Sequence, residues 1–190
     1  MVSRQERKAR QSYLRNALKR YEKERLRNRL ATPGPHDFVL VLDHLKASFN
    51  IPKIFRSAEA FGAHAIHLIG SEPFDPAPAK GAFRKVPARF HDHFRDSHAE
   101  LRAAGYTLFR LEAGCENRLD ACELPRRAAF ILGNEGLGIT FDPANYPDVQ
   151  CLSIPLFGQT ESLNVSIAAS IVMYEYARQW AGRVEVAGDG

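Results

Sequence analysis

Short, almost unbroken apolar runs punctuate the chain between residues 38 and 154. Phe38–Leu42 reads as a buried strand, and Ala65–Ile69, Tyr106–Leu111, Ala128–Leu132 and Val149–Ile154 repeat the pattern. Residues 51–61 and 96–104 carry helical spacing between those strands, and Leu163–Trp180 forms a longer, mostly apolar helix packed on several sides. Strands that are apolar on both faces and alternate with helices assemble into a mostly parallel α/β sheet with helices on both faces. Ligands of such sheets bind beyond the carboxyl ends of the strands, so the residues that follow each strand are where chemistry is expected. Residues 71–88 are rich in Pro, Gly and Ala, with Lys80, Arg84 and Lys85 scattered along them and Arg89 just beyond, and read as a long basic loop.

The first thirty residues break from this pattern. Residues 4–30 lack Gly and Pro, and Leu14, Leu18 and Tyr21 recur at helical spacing, with Leu26 and Leu30 one turn apart. This predicts a basic amphipathic helix or helix pair. Residues 1–30 hold eleven Lys or Arg against three Glu, a net +8, so the remainder of this +4 chain carries −4. A basic arm on a mildly acidic body suggests a polyanionic partner. Ala31–His36 (ATPGPH) is a linker. The expected division is an extension over 1–36, a catalytic domain over 37–182 and a flexible tail over 183–190.

Composition narrows the setting. At 45% hydrophobic residues the chain can build a core, and no apolar run approaches the roughly 20 residues of a membrane span. With a charged N-terminus in place of an apolar leader, the expectation is a cytoplasmic protein with no membrane association. Cys115, Cys122 and Cys151 are odd in number and lack paired spacing, which predicts neither a disulfide framework nor a zinc site. His91, His93 and His98 cluster without metal-ligand spacing, so no metal is expected.

Three segments carry candidate chemistry. In the first, Asn50 stands where a helix N-cap is expected and Arg56 lies nearly two turns on, roughly on the same side. In the second, a strand runs into Leu132-Gly133-Asn134-Glu135-Gly136-Leu137-Gly138, a loop of three glycines and one acid. It has neither the GxGxxG order of a dinucleotide site nor the GK[ST] of a phosphate loop. In the third, Ile154-Pro155 is followed by Gly158 and then by Ser162-Leu163-Asn164-Val165-Ser166. Thr160 or Ser162 is placed to cap the apolar helix, and Asn164 and Ser166 fall in its first turn, where polar groups need partners or a ligand. No GxSxG elbow surrounds Ser162, which argues against a serine hydrolase.

Taken in order, the three segments resemble the motifs of the SpoU/TrmH family of RNA methyltransferases, within the SPOUT superfamily, over about residues 38–180. The short basic extension is most similar to the tRNA-acting members. The resemblance implies a deep trefoil knot in the C-terminal third, a homodimer with its active site at the subunit interface, and S-adenosylmethionine as cofactor. It further implies that Leu111, Gly133, Ile154 and Leu163 cradle the cofactor, and that Asn50, Arg56, Glu135, Ser162 and Asn164 form the catalytic and ribose-orienting set. The implied reaction is methylation of a ribose 2′-hydroxyl in RNA, most readily tRNA. An rRNA target and a non-catalytic RNA-binding protein are the alternatives. Pro52-Lys53 and Glu161 stand where family members often carry other residues, and both bear on which substrate is taken.

Overall fold

A computed structural model describes residues 4–182. Its elements are α1 (Arg4–Asn28), β1 (Phe38–Asp43), α2 (Asn50–Ala60), β2 (Ala65–Ile69), β3 (Ala88–His91), α3 (Phe94–Ala103), β4 (Thr107–Leu111), β5 (Ala128–Leu132), β6 (Gln150–Leu152) and α4 (Val165–Trp180). All six strands join one sheet in the order β3-β2-β1-β5-β4-β6, and every pairing is parallel. The chain builds outward from β1 to β3, then crosses over, so that β5 pairs with the other side of β1. The order reverses between β1 and β5, and a crevice opens at such a point, beyond the carboxyl ends of both strands.

Both faces of the sheet are covered, which is why its strands read as continuous apolar runs. Leu40, Leu42, Ile66, Leu68, Phe130 and Leu132 face one core, closed by Tyr21 of α1, Ile51, Ile54 and Phe55 of α2, and Ala169, Val172 and Met173 of α4. Val39, Val41, Ile69 and Ile131 face a second core, closed by Phe94 and Leu101 of α3. Among the described residues no helix is long and apolar enough to cross a membrane.

The N-terminal segment is one helix rather than a pair, and its packing differs from the leucine pattern. Leu14, Leu18, Leu26 and Leu30 are exposed, whereas Ala17, Tyr21 and Asn28 are buried. The buried set is dictated by what α1 meets. Tyr21 lies edge-on to Phe74 at 5.1 Å and stacks on Phe83 at 5.8 Å. Asn28 donates to the carbonyls of Phe83 and Val86 and accepts from the amide of Ala88. A shape-matched aromatic and an asparagine that satisfies three backbone groups outweigh the leucines, which would need a flat apolar surface.

Those partners lie in the segment expected to be a loose basic loop. Residues 77–79 and 82–84 are short 3₁₀ turns, Ala79, Ala82, Phe83 and Val86 are buried, and residues 88–91 form strand β3. Arg25 of α1 stacks over the Phe90 ring at 4.3 Å. The cysteines also depart from expectation: Cys115 and Cys151 are joined, with Cα atoms 5.8 Å apart across 36 residues. Parallel pairing of β4 with β6 brings the segment after β4 alongside Cys151, a closeness that sequence spacing does not encode. The tail expected over 183–190 lies outside the described residues.

Candidate active site

The crevice at the strand-order reversal is built from the three motif segments. Asn50 is the first residue of α2, not its cap; Phe49 holds the cap position and no side chain closes it. The Asn50 carboxamide is used elsewhere. Its Nδ2 donates to Glu135 Oε1 at 2.8 Å, and its Oδ1 accepts from Asn164 Nδ2 at 3.3 Å. Glu135 Oε2 also accepts the Lys46 amide at 3.4 Å. Partial burial pushes the Glu135 carboxyl upward, but the hydrogen bonds from Asn50, its own amide and the Lys46 amide, with the Lys46 charge, hold it below the usual glutamate range. It is therefore a carboxylate at neutral pH.

Asn164 is the residue that caps α4. Its Oδ1 accepts the Ser166 amide at 2.9 Å and the Ser166 hydroxyl at 2.6 Å. Neither Thr160 nor Ser162 caps the helix, and Thr160 instead donates to the Ser162 carbonyl. One asparagine thus fixes the start of α4 and steers Asn50, so motifs 114 residues apart share a single polar network. The helices carrying them are also tied by Ser57 and Ser170, whose hydroxyls lie 2.9 Å apart.

The glycine-rich loop closes on itself. Asn134 and Gly138 exchange backbone hydrogen bonds, and Asn134 Oδ1 accepts the amides of Gly136 and Leu137. A Cβ on Gly133 would stand 2.3 Å from the Gly138 carbonyl carbon. Glycine there is required by the loop's own closure, beyond any approach to a ligand. The loop is pinned to the end of β1 by residues the motif reading did not single out. Asp43, wholly buried, accepts the Thr140 amide at 2.6 Å, the Thr140 hydroxyl at 2.9 Å and a hydrogen bond from His44 Nδ1 at 2.9 Å. Asn134 Nδ2 donates to the carbonyl of His44, itself in the left-handed region at φ 50°. The available signal was an acid at the end of an apolar strand, where a buried charge demands partners.

Two adjoining cavities make up the cleft. One is lined by Leu111, Glu112, Ile154, Leu156, Ser162 and Leu163. The other shares Leu111, Glu112, Ser162 and Leu163 and adds Gly133, Glu135 and Asn164. Eight of the nine residues singled out from the sequence therefore converge: seven line the cleft and Asn50 is bonded to two of them. The ninth, Arg56, is exposed, lines neither cavity and has no hydrogen bond or ion pair among the described residues.

A sequence model described as the SpoU rRNA Methylase family matches residues 37–174, which include every one of these segments. The chain belongs to this family. It is 32% identical over 146 residues to the 23S rRNA (guanosine-2′-O-)-methyltransferase RlmB of Neisseria meningitidis, covering 74% of this chain and 58% of that one. The chain thus spans little more than half the length of that relative. Among solved structures, one reported for the 2-OH methylation of C/U34 on tRNA superposes with a TM-score of 0.67 at 29% identity, covering 79% of this chain and all of the other. The SpoU methyltransferase AviRb from Streptomyces viridochromogenes, in complex with the cofactor AdoMet, superposes with a TM-score of 0.67 at 25% identity, covering 81% and 61%. The matched region begins one residue before β1 and leaves α1 outside it.

Proposed function

We propose that this chain is an S-adenosylmethionine-dependent RNA methyltransferase that modifies a ribose 2′-hydroxyl, with tRNA as its substrate. The observation that carries the reading is the hydrogen-bonded set Glu135–Asn50–Asn164 at the rim of the cleft. It sits where an open parallel sheet binds its ligand. The 2′-O activity named for the Neisseria relative and the tRNA named for the neighbour spanned in full support it.

The cleft suits the cofactor's chemistry. Leu111, Ile154, Leu156, Leu163 and Ala168 offer an apolar surface for an adenine ring, with Glu112 and Ser162 as polar groups at its edge. Leu111, Gly133, Ile154 and Leu163 would hold the group, largely through backbone atoms. When bound, it supplies a methyl on a sulfonium, already a strong electrophile. The protein's work is then to align the ribose oxygen and to stabilise the charge it develops, and this chemistry asks for no metal. Alignment of this kind is worth up to about 7–11 kcal/mol.

Asn50 cannot rotate freely, because its amide faces a carboxylate and its carbonyl faces the Asn164 amide. Glu135, kept ionised, remains an acceptor for ribose hydroxyls, and Ser162 adds a hydroxyl on the same rim. Arg56 stabilises the developing alkoxide electrostatically. A guanidinium, which stays protonated in proteins, has no lone pair to accept a proton and acts here through its charge. Its position outside its own chain's cleft supports a homodimer in which Arg56 completes a site at the subunit interface.

The C-terminal third is read as a deep trefoil knot. Residues 115–119 bond to Ser153, and Gln179 and Trp180 of α4 bond to residues 122–124, contacts of the segment after β4 with both β6 and α4 that support this reading. Residues 1–36 serve as the RNA-binding extension and 37–182 as the catalytic domain. The test is transfer of labelled methyl from S-adenosylmethionine to tRNA and 23S rRNA, followed by mapping of alkali-resistant 2′-O-methyl positions. Label at one tRNA ribose is the expected result. Label on a base nitrogen, or none on any RNA despite cofactor binding, overturns the proposal.

A further inference from the structure

A second polar cluster lies on the sheet face opposite α2 and α4. His67 of β2 shares that face with Ala65 and Ile69, in the core closed by α3. His67 pairs in register with Arg89 and Ile69 with His91, so the two imidazoles point the same way and lie 4.9 Å apart, centroid to centroid. Glu100 of α3 reaches both: its carboxylate is 4.0 Å from His67 Nε2 and 3.7 Å from His91 Nε2. One ligand atom from each of the three residues lies within 4.8 Å of the other two. Of the histidines that lie close in sequence, His91, His93 and His98, only His91 belongs to this group, and its partner is His67.

We propose that His67, His91 and Glu100 form a binding site for a divalent transition-metal ion of zinc type, two imidazole nitrogens and one carboxylate oxygen leaving a fourth position for water. Tetrahedral zinc with bonds of about 2.0–2.2 Å sets its ligand atoms about 3.3–3.6 Å apart, so the carboxylate contacts need to shorten by less than about 1 Å and no ligand pair by more than about 1.5 Å. Its supporting groups are already in place. The buried Ser97 hydroxyl lies 2.8 Å from His67 Nδ1, which fixes the ring and leaves Nε2 to face the cluster. Nε2 of His91 is buried without a hydrogen bond, an arrangement that costs free energy unless something occupies it. A cavity lined by His64, His67, Arg89, Glu100 and Tyr106 opens beside the cluster and offers an entry path.

Arg89 is the counterweight. Its Nε lies 3.5 Å from Glu100 Oε1, so without metal it neutralises the carboxylate, and being 62% exposed it swings into solvent when a cation arrives. The ion would tie β2, edge strand β3 and α3 together without touching the methyl-transfer cleft.

The test titrates the tag-free, full-length protein with Co²⁺ and Zn²⁺, following visible absorption and calorimetry. We expect 1:1 binding, tetrahedral Co²⁺ bands without thiolate charge transfer, and a Zn²⁺-dependent rise in melting temperature. Glu100→Gln and His91→Asn should each weaken binding at least tenfold while leaving S-adenosylmethionine binding unchanged, and Arg89→Gln should tighten it severalfold. Glu100 is partly exposed, so its variant is not expected to perturb folding. Absence of stoichiometric binding, or unchanged affinity in both ligand variants, would overturn the site.

Discussion

The cleft and helix α1 handle charge in opposite ways. At the cleft the polar side chains that hold the motifs together are bonded to partners far along the chain: Asn50 to Glu135 and Asn164 to Asn50, with Asp43 bonded to Thr140 behind them. Along α1 most charges face solvent, and Arg27 with Glu24 is a pair of the exposed kind that contributes little, whereas Arg20 is bonded through two nitrogens to the largely buried Asp75. Position decides function in the first region, so a change of one ångström matters there. In the second, charge density decides, and single substitutions should hardly register.

The sharpest way to break this contrast is Gly133→Val. The added Cβ alone meets the Gly138 carbonyl carbon at 2.3 Å, so the loop must open. Calorimetry should detect no cofactor binding, together with a lowered melting temperature. Wild-type affinity would show that the loop is not part of the cofactor site.

Arg56→Ala comes next, with turnover expected to fall by roughly 10²–10³, the scale of removing one group that stabilises developing charge. Because Arg56 is exposed and unpaired among the described residues, stability and cofactor affinity should hold. Lysine should not rescue it, since a point charge lacks the planar fork of donors. Near-normal turnover in either variant would remove Arg56 from the mechanism.

Glu135→Gln should cost about tenfold to a hundredfold and abolish an acid limb in the pH profile. The sign follows from the lowered carboxyl pKa: the favourable bonds to Asn50 and Lys46 are fully present above the usual glutamate pKa and are lost as pH falls through the lowered one. The wild-type acid limb should therefore lie below the usual glutamate value. A limb above it would contradict the network.

The smallest effect is expected for deletion of residues 1–12, which removes Arg4, Arg7, Lys8 and Arg10 while keeping Tyr13, Tyr21 and Asn28, the residues that hold α1 to the body. Affinity for RNA should fall modestly and broadly. The slope of log affinity against log salt should flatten by up to about 3, at roughly 0.7 per lost phosphate contact. The modified nucleotide should not change, because phosphate contacts position without reading bases. Equal slopes would assign the charges to solubility alone.

How much of this was visible in the chain follows from what each residue's role depends on. Strands buried on both faces announced themselves as apolar runs, and the motif residues announced the cleft. Strand β3 did not, because Ala88-Arg89-Phe90-His91 is a half-exposed edge with no continuous apolar run. His67 was concealed inside such a run, and Asp43 ended one. Asn50 was read as a cap, a local preference, whereas its partners lie 85 and 114 residues away, and Asn164, read in the first turn, is itself the cap because α4 starts at Val165. The Cys115–Cys151 pairing and the burial of Tyr21 in place of the leucines likewise depend on neighbours set by the sheet.

The anchoring of α1 has a mechanical consequence. From Asn28 to Tyr13 the helix is held to the body, and near Tyr13 it passes the groove beside Phe49, next to Asn50. Its first nine described residues continue as a stiff rod of about 13 Å at 1.5 Å per residue. Cations on a rod have a fixed reach, unlike cations on a tether, which sample every distance. On the proposed function, the arm's cations would meet a bound RNA at set positions along the rod and not across a range of distances.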